Sequence, residues 1–251
     1  MEVHHHPNVE KKNLKEYFLE FLMIFLAVTM GFFAESLREH IVNIDKEKEF
    51  VLSLKEDLAT DTSFLLDVIP ENQLQFDKLD SLYTLLELAQ EGKPFSMNRL
   101  YYLNFRYAEG LVYFSPNTRT ITQIKNTGAF SLIRNKECRD SLTEYVNDNE
   151  IIIPVNVEGL KEWTNDLNKM SQKIFDFKLI KTFWFSGGAD IFLKDSLHLE
   201  ITSDKSLLKE YANKVRSLMM MVNVLENSEK SQLERCKALI ALLNKEYKLA
   251  V

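Results

Sequence analysis

Apolar side chains follow three patterns along the chain. The first is a continuous run. From Phe21 to Ala34 fourteen consecutive positions carry no charge, and Tyr17 to Leu19 together with Leu37 extend the stretch over 17–37. A helix of that length covers about 31 Å, one hydrocarbon thickness of a bilayer. Glu20 then falls in its first turn, and Glu35 and Arg38 mark the far boundary. A buried core helix would have to hide Phe21, Phe25, Phe32 and Phe33 on nearly every face. A cleaved signal peptide would need small side chains where Phe32-Phe33-Ala34 stands. The pattern therefore predicts a short polar tail (1–16), a transmembrane helix (17–37) and an extramembrane domain (38–251).

The second pattern is an alternation of three- and four-residue steps, the signature of packed helices. Val51, Leu54, Leu58, Leu65 and Val68 predict a helix over 44–69, with Asp61 where the next apolar residue belongs and Pro70 as its end. Leu79, Leu82, Leu86 and Ala89 predict a second helix over about 71–90, stopped by Gly92 and Pro94. Ser96 is placed to cap a shorter helix reaching about Ala108. Ser115-Pro116 and Gly128 frame another helix, which carries Gln123 and Lys125. Asn135 opens one toward Asn147. Pro154 predicts a break or kink before a run over about 157–177. In the last helix, Leu208, Val215, Val222, Cys236 and Leu243 share one heptad position, and Tyr211, Leu218, Leu225 and Leu239 the other. Lys214 lies outside that seam. Glu229 and Gln232 interrupt it beside Asn227-Ser228, which predicts a break in the helix there.

The third pattern is aromatic. Lys181-Thr-Phe-Trp-Phe-Ser-Gly-Gly-Ala-Asp-Ile-Phe-Leu193, with Leu197-His-Leu-Glu-Ile201 beyond it, reads as either a small β-hairpin within 179–201 or an irregular loop. The fold expected is mainly α: a transmembrane helix followed by a helical, coiled-coil-like bundle.

Composition sharpens this picture. Glycine and proline number only 7 and 5 in 251 residues, too few for a turn-rich β-sandwich or barrel. The net charge of −6 excludes the broad basic surface of a nucleic-acid binder. Basic residues balance across the apolar run (Lys11, Lys12 and Lys15 before it, Arg38, Lys46 and Lys48 after it), so a count of charges does not fix orientation. A short basic tail ahead of an apolar run behaves as a signal anchor. The expectation is a tail in the cytoplasm and a body outside the bacterial inner membrane.

The block from Glu2 to Glu39, Val-His-His-His-Pro through Lys-Glu-Tyr-Phe-Leu-Glu-Phe-Leu-Met-Ile-Phe-Leu-Ala-Val-Thr-Met-Gly-Phe-Phe-Ala-Glu, resembles the opening of a family of uncharacterised bacterial single-pass membrane proteins. Ser115-Pro-Asn-Thr-Arg-Thr-Ile-Thr-Gln-Ile-Lys-Asn-Thr-Gly128, with Leu132-Ile133 and Tyr145, resembles a wider related group. Where that group carries Asn-Trp-Asn-Glu after its membrane helix, this chain has Glu35-Ser-Leu-Arg-Glu39. The resemblance implies an anchored helical protein and brings no catalytic residue.

Candidate chemistry is sparse. His4-His5-His6 offers imidazoles for a metal, but adjacent residues do not converge on one ion as an i, i+4 pair does, and a solvated tail is the expectation. His40 reads as an interfacial side chain and His198 as the solvated side of an alternating segment. Cys138 and Cys236 are open to a redox pairing, with the seam position of Cys236 favouring a small buried hydrophobe. Glu56, Asp57 and Asp61 read as a solvated helix face rather than an acid–base pair. Gly187-Gly188 lacks the spacing of a phosphate loop, and motifs for nucleophilic, nucleotide or zinc chemistry are absent. Ala27 and Gly31, four apart, offer a small face for contact between membrane helices. Phe183, Trp184 and Phe185 are candidates for partner contact, with burial in the core as the alternative.

The expectation is accordingly a non-catalytic, membrane-anchored scaffold or accessory subunit with no cofactor or metal. Its partners would be the lipid bilayer and either copies of itself or another subunit of a membrane complex. A ligand-sensing or metal-handling extramembrane domain is the alternative.

Overall fold

A computed structural model describes residues 13–179, 188–194 and 197–249. The fold is mainly α, and no strand occurs among the described residues. Among the described residues there are six α-helices: α1 (Leu14–Glu91), α2 (Met97–Leu103), α3 (Arg119–Asn126), α4 (Lys136–Asn147), α5 (Ile153–Ile174) and α6 (Lys205–Tyr247). The chain divides between Phe50 and Val51 into two units.

In the first unit α1 presents apolar side chains to its surroundings all the way round. Phe18, Phe21, Ile24, Met30, Phe32 and Phe33 are each more than 60% exposed. The most apolar 18-residue stretch of α1 has mean hydropathy 2.0 and no buried residue, so by length and composition α1 is a candidate membrane span. The Thr29 hydroxyl there is satisfied internally, since Thr29 Oγ1 donates to the Phe25 carbonyl at 2.7 Å. Glu35 and Arg38 pair through two contacts of 2.6 and 2.9 Å at the far boundary.

The second unit is built on the heptad seams. Val51, Leu54, Leu58, Leu65, Leu79, Leu82 and Leu86 of α1 are buried. So are all the seam residues expected of α6, from Leu208 and Tyr211 to Leu239 and Leu243. Three expectations about breaks are corrected. Pro70 does not end a helix but lies inside α1. It sits on the exposed side, where the carbonyl it leaves unbonded, that of Leu66, meets water, while Leu65, Val68 and Asn72 hold the opposite side in the core. Likewise α6 runs unbroken through Asn227-Ser228. Its interrupting residues Glu229 and Gln232 are fully buried and hydrogen-bonded, so they continue the seam in polar form. Pro154 does not separate two helices by a gap: a π-helical turn (Asp148–Ile152) joins α4 directly to α5. The wider i→i+5 turn gives the proline ring room that an α-turn denies it.

Helix ends follow their local chemistry. Gly92 (φ 71°) terminates α1 in the left-handed conformation, and Lys93 N–H returns to the Leu88 carbonyl at 2.9 Å. Ser96 Oγ caps α2 by accepting from Arg99 N–H, and Asn135 Oδ1 caps α4 by accepting from Cys138 N–H. A π-turn (Asn104–Ala108) follows α2 directly, so the helical run reaches Ala108 as the spacing predicts. The proposed hairpin is not formed by the described part of 179–201. Residues Gly188–Leu193 make a 3₁₀ helix, and one antiparallel bridge joins Phe175 to Ile201.

Candidate functional site

The richest polar geometry lies where residues 109–128 are fastened to the bundle. Asp57 and Asp61 stand one turn apart on α1 and are 2% and 1% exposed. Asp57 Oδ1 accepts from Asn117 Nδ2 (2.9 Å) and from Arg119 Nη2 (2.8 Å), and its Oδ2 accepts from the Thr120 N–H (2.9 Å). Asp61 Oδ1 accepts from the Asn117 N–H at 2.8 Å, and its Oδ2 accepts a short hydrogen bond from the Tyr145 hydroxyl. The expected opening of α3 at Ser115-Pro116 is therefore replaced by one at Arg119. Its cap is shared: Asn117 Oδ1 accepts from the Arg119 N–H at 3.2 Å, and Asp57 takes the Thr120 N–H, its negative charge also complementing the positive end of the helix. This overturns the solvated-face reading for Asp57 and Asp61, although Glu56 is exposed as expected. The physical reason is that an i, i+4 pair of carboxylates facing a bare helix N-terminus gains charge-assisted hydrogen bonds that offset its dehydration.

Burial pushes the Asp61 carboxyl above the usual carboxylate range despite its two donors, and pushes the Tyr145 hydroxyl up strongly. The Cys236 thiol, buried close to both, is pushed up to about 12. Cys138 and Cys236 are both buried, which favours the hydrophobe reading of Cys236.

A second fastening lies further along the same seams. Glu229 of α6, fully buried, accepts from Asn72 Nδ2 (2.6 Å, Oε2) and from the Phe114 N–H (2.8 Å, Oε1). Gln75, one turn beyond Asn72, donates to the carbonyls of Tyr107 and Gly110. Gln232 donates to Asn149 Oδ1 at 2.6 Å. A third cluster ties Asn104 to Glu109 and Ser171 at 3.0 Å each, with Tyr211 donating to Asn104 Oδ1; burial raises the Glu109 carboxyl. Each cluster bridges to protein partners, although Asn72 Oδ1, Gln75 Oε1, Asn149 Nδ2 and Gln232 Oε1 have none among the described residues. The chemistry on display is attachment: short carboxylate and amide bridges that pin the 104–120 stretch to α1, α5 and α6.

The other expected residues are placed as follows. Ala27 and Gly31 are exposed on α1, and a Cβ added at Gly31 would meet nothing within 4 Å. His40 and His198 are exposed, the latter between half-buried Leu197 and Leu199. Phe183, Trp184 and Phe185 lie outside the described residues, as do His4, His5 and His6. The sequence reading missed Asn72, Gln75 and Glu229 as bridging groups. The signal was present, since 61, 72, 75, 229 and 232 all continue the heptads that the apolar residues define.

Comparison with protein-family models, with curated proteins and with solved structures found no match.

Proposed function

We propose that this chain is a non-catalytic, single-pass membrane-anchored scaffold or accessory subunit. In this reading residues 17–37 lie in the bacterial inner membrane, the basic tail is cytoplasmic and the helical body stands outside. The observation that carries the reading is the ring of exposed Phe, Ile, Met and Leu side chains on α1, bounded by Glu20 on one side and by the Glu35–Arg38 pair on the other. Hydrocarbon is the solvent that such a surface matches, and a helix is one of the two backbone forms that satisfy themselves within it. Ala27 and Gly31 give that helix a face on which a second membrane helix can approach closely.

The body supports an interaction role through α6. Its exposed Met220 lines an open groove of about 510 Å³, and its exposed Val224 lines both that groove and a second of about 460 Å³. The first is lined by Phe76, Met219 and Met220 and by the Asp80–Arg216 pair (3.1 Å). Its size and mixed lining also suit a small amphipathic molecule, which favours ligand sensing as the second reading.

Alkaline carbonate washing of membranes tests the anchor: the chain should remain in the pellet. Release into the supernatant would remove the proposal. A specific stoichiometric protein partner after gentle solubilisation would support the scaffold, and a copurifying small molecule the second reading.

A further inference from the structure

We propose that Glu229 and Asn72 form a proton-operated joint, in which one proton on the Glu229 carboxyl selects the orientation of the Asn72 amide and sets how firmly the 109–118 segment is held. The joint lies wholly within the bundle and is independent of the membrane reading. It rests first on an asymmetry in hydrogen bonding. Glu229 Oε2 takes Asn72 Nδ2, Oε1 takes the Phe114 N–H, and Asn72 Oδ1, on a fully buried side chain, has no hydrogen-bond partner among the described residues. With a proton on Oε2 and the amide turned by half a rotation, Oε2–H donates to Asn72 Oδ1 and Oε1 still accepts from Phe114. Oδ1 is then paired, and Nδ2 takes the position that Oδ1 leaves. The amide and the acid thus have two matched arrangements, one for each protonation state.

The surroundings weigh against the charged arrangement. Among the described residues no lysine, arginine or histidine pairs with Glu229. On α6 itself Glu226, 3% exposed, stands one turn before it and repels its charge, while Lys230 is drawn to Glu226 at 2.6 Å. From α1 the facing groups are the neutral amides of Asn72 and Gln75, with Asp61 further along the seam bound to Tyr145 of α4. From the 109–118 segment come the Phe114 N–H and Tyr113, whose ring holds Lys161 of α5 at 5.3 Å. Arg235 of α6 is held by Asp148 and Glu144. Burial accordingly pushes Glu229 up to about 7.

The direction of the effect follows from linkage. The folded carboxyl binds its proton more tightly than the ordinary value of 4.5 in the unfolded chain. The stabilisation is therefore fully present below about 4.5 and is lost as pH rises through about 7. Those two values imply that the folding equilibrium constant falls roughly thirtyfold between about pH 5.5 and 8 from this group alone.

The test is urea unfolding of the full chain in detergent at a series of pH values, comparing wild type with Glu229→Gln. Glutamine copies the protonated acid, donating to Asn72 Oδ1 and accepting from Phe114, so the variant should fold and should lose that portion of the pH dependence. Hydrogen exchange of the peptide containing Phe114, corrected for intrinsic rate, should show protection falling from pH 5.5 to 8 in wild type and not in the variant. Infrared spectra at pH 6 should show a protonated-carboxyl band that the substitution removes. Identical pH dependence in the two proteins, or an unchanged carboxyl band, would overturn the proposal.

Discussion

Asp57 shows how much structure one carboxylate can organise. It holds the side chain of Asn117, the guanidinium of Arg119 and the first free N–H of α3 at once. Asp57→Ala would strand the buried Thr120 N–H that caps α3 and take the acceptor from the half-buried Asn117 amide. Loss of a cap costs about 1–2 kcal/mol, and each stranded buried donor about 1–3. A loss of about 2 kcal/mol or more is expected in denaturant unfolding, with Asp57→Asn recovering part of it. An effect below about 1 kcal/mol would mean that water replaces the carboxylate. The thiols make a second prediction at this scale. Cys138 and Cys236 are 1% and 0% exposed, and the Cys236 thiol is held in its protonated form at neutral pH. Both should resist alkylation in the native protein and react once it is denatured. Rapid native labelling of either would contradict the packing described.

At the scale of elements, α6 makes the sharpest claim. Leu218 is fully buried in the seam, while Asn213 in the same helix faces water. Leu218→Ala should cost roughly 2–5 kcal/mol, and Asn213→Ala should stay within about 0.5. Similar small effects at both would mean that the stripe is not packed. Lys214 would be a poor control although it lies outside the seam, because it is paired with Asp166 of α5. That distinction explains what the sequence could and could not disclose. The apolar members of the heptads announce which faces are buried, because burial of leucine and valine requires no specific partner. The polar members at 61, 72, 75, 229 and 232 occupy the same faces but are tolerated only through particular bonds. Asn72 and Glu229 are 157 positions apart, and no local pattern pairs them. Asp57 was harder still, since its cap belongs to a helix that begins 62 residues later. Pro70 misled for a related reason: its effect on α1 depends on whether its side of the helix meets solvent, which is a tertiary fact.

At the scale of the molecule the chain divides its apolar residues between two environments. Those of the second unit close upon one another around α1, α5 and α6, whereas those of residues 17–37 remain uncovered. On the proposed topology the tail and the body lie on opposite sides of the bilayer. In cells with a permeabilised outer membrane, added protease should reach the body while leaving the tail intact. Cleavage of the body only after full lysis would reverse the topology.

The cap on α3 has a temporal consequence. An eight-residue helix is too short to persist alone in water, and the groups that secure its approach are dispersed from Asp57 to Glu229. During synthesis the ribosome releases Asp57 early, yet Phe114 must wait for Glu229, more than a hundred residues behind it. The middle of this chain is thus expected to be the last part to settle, completed only when its final helix arrives. A nascent chain arrested before Glu229 should leave the 109–128 stretch open to proteolysis, and one arrested after α6 should protect it.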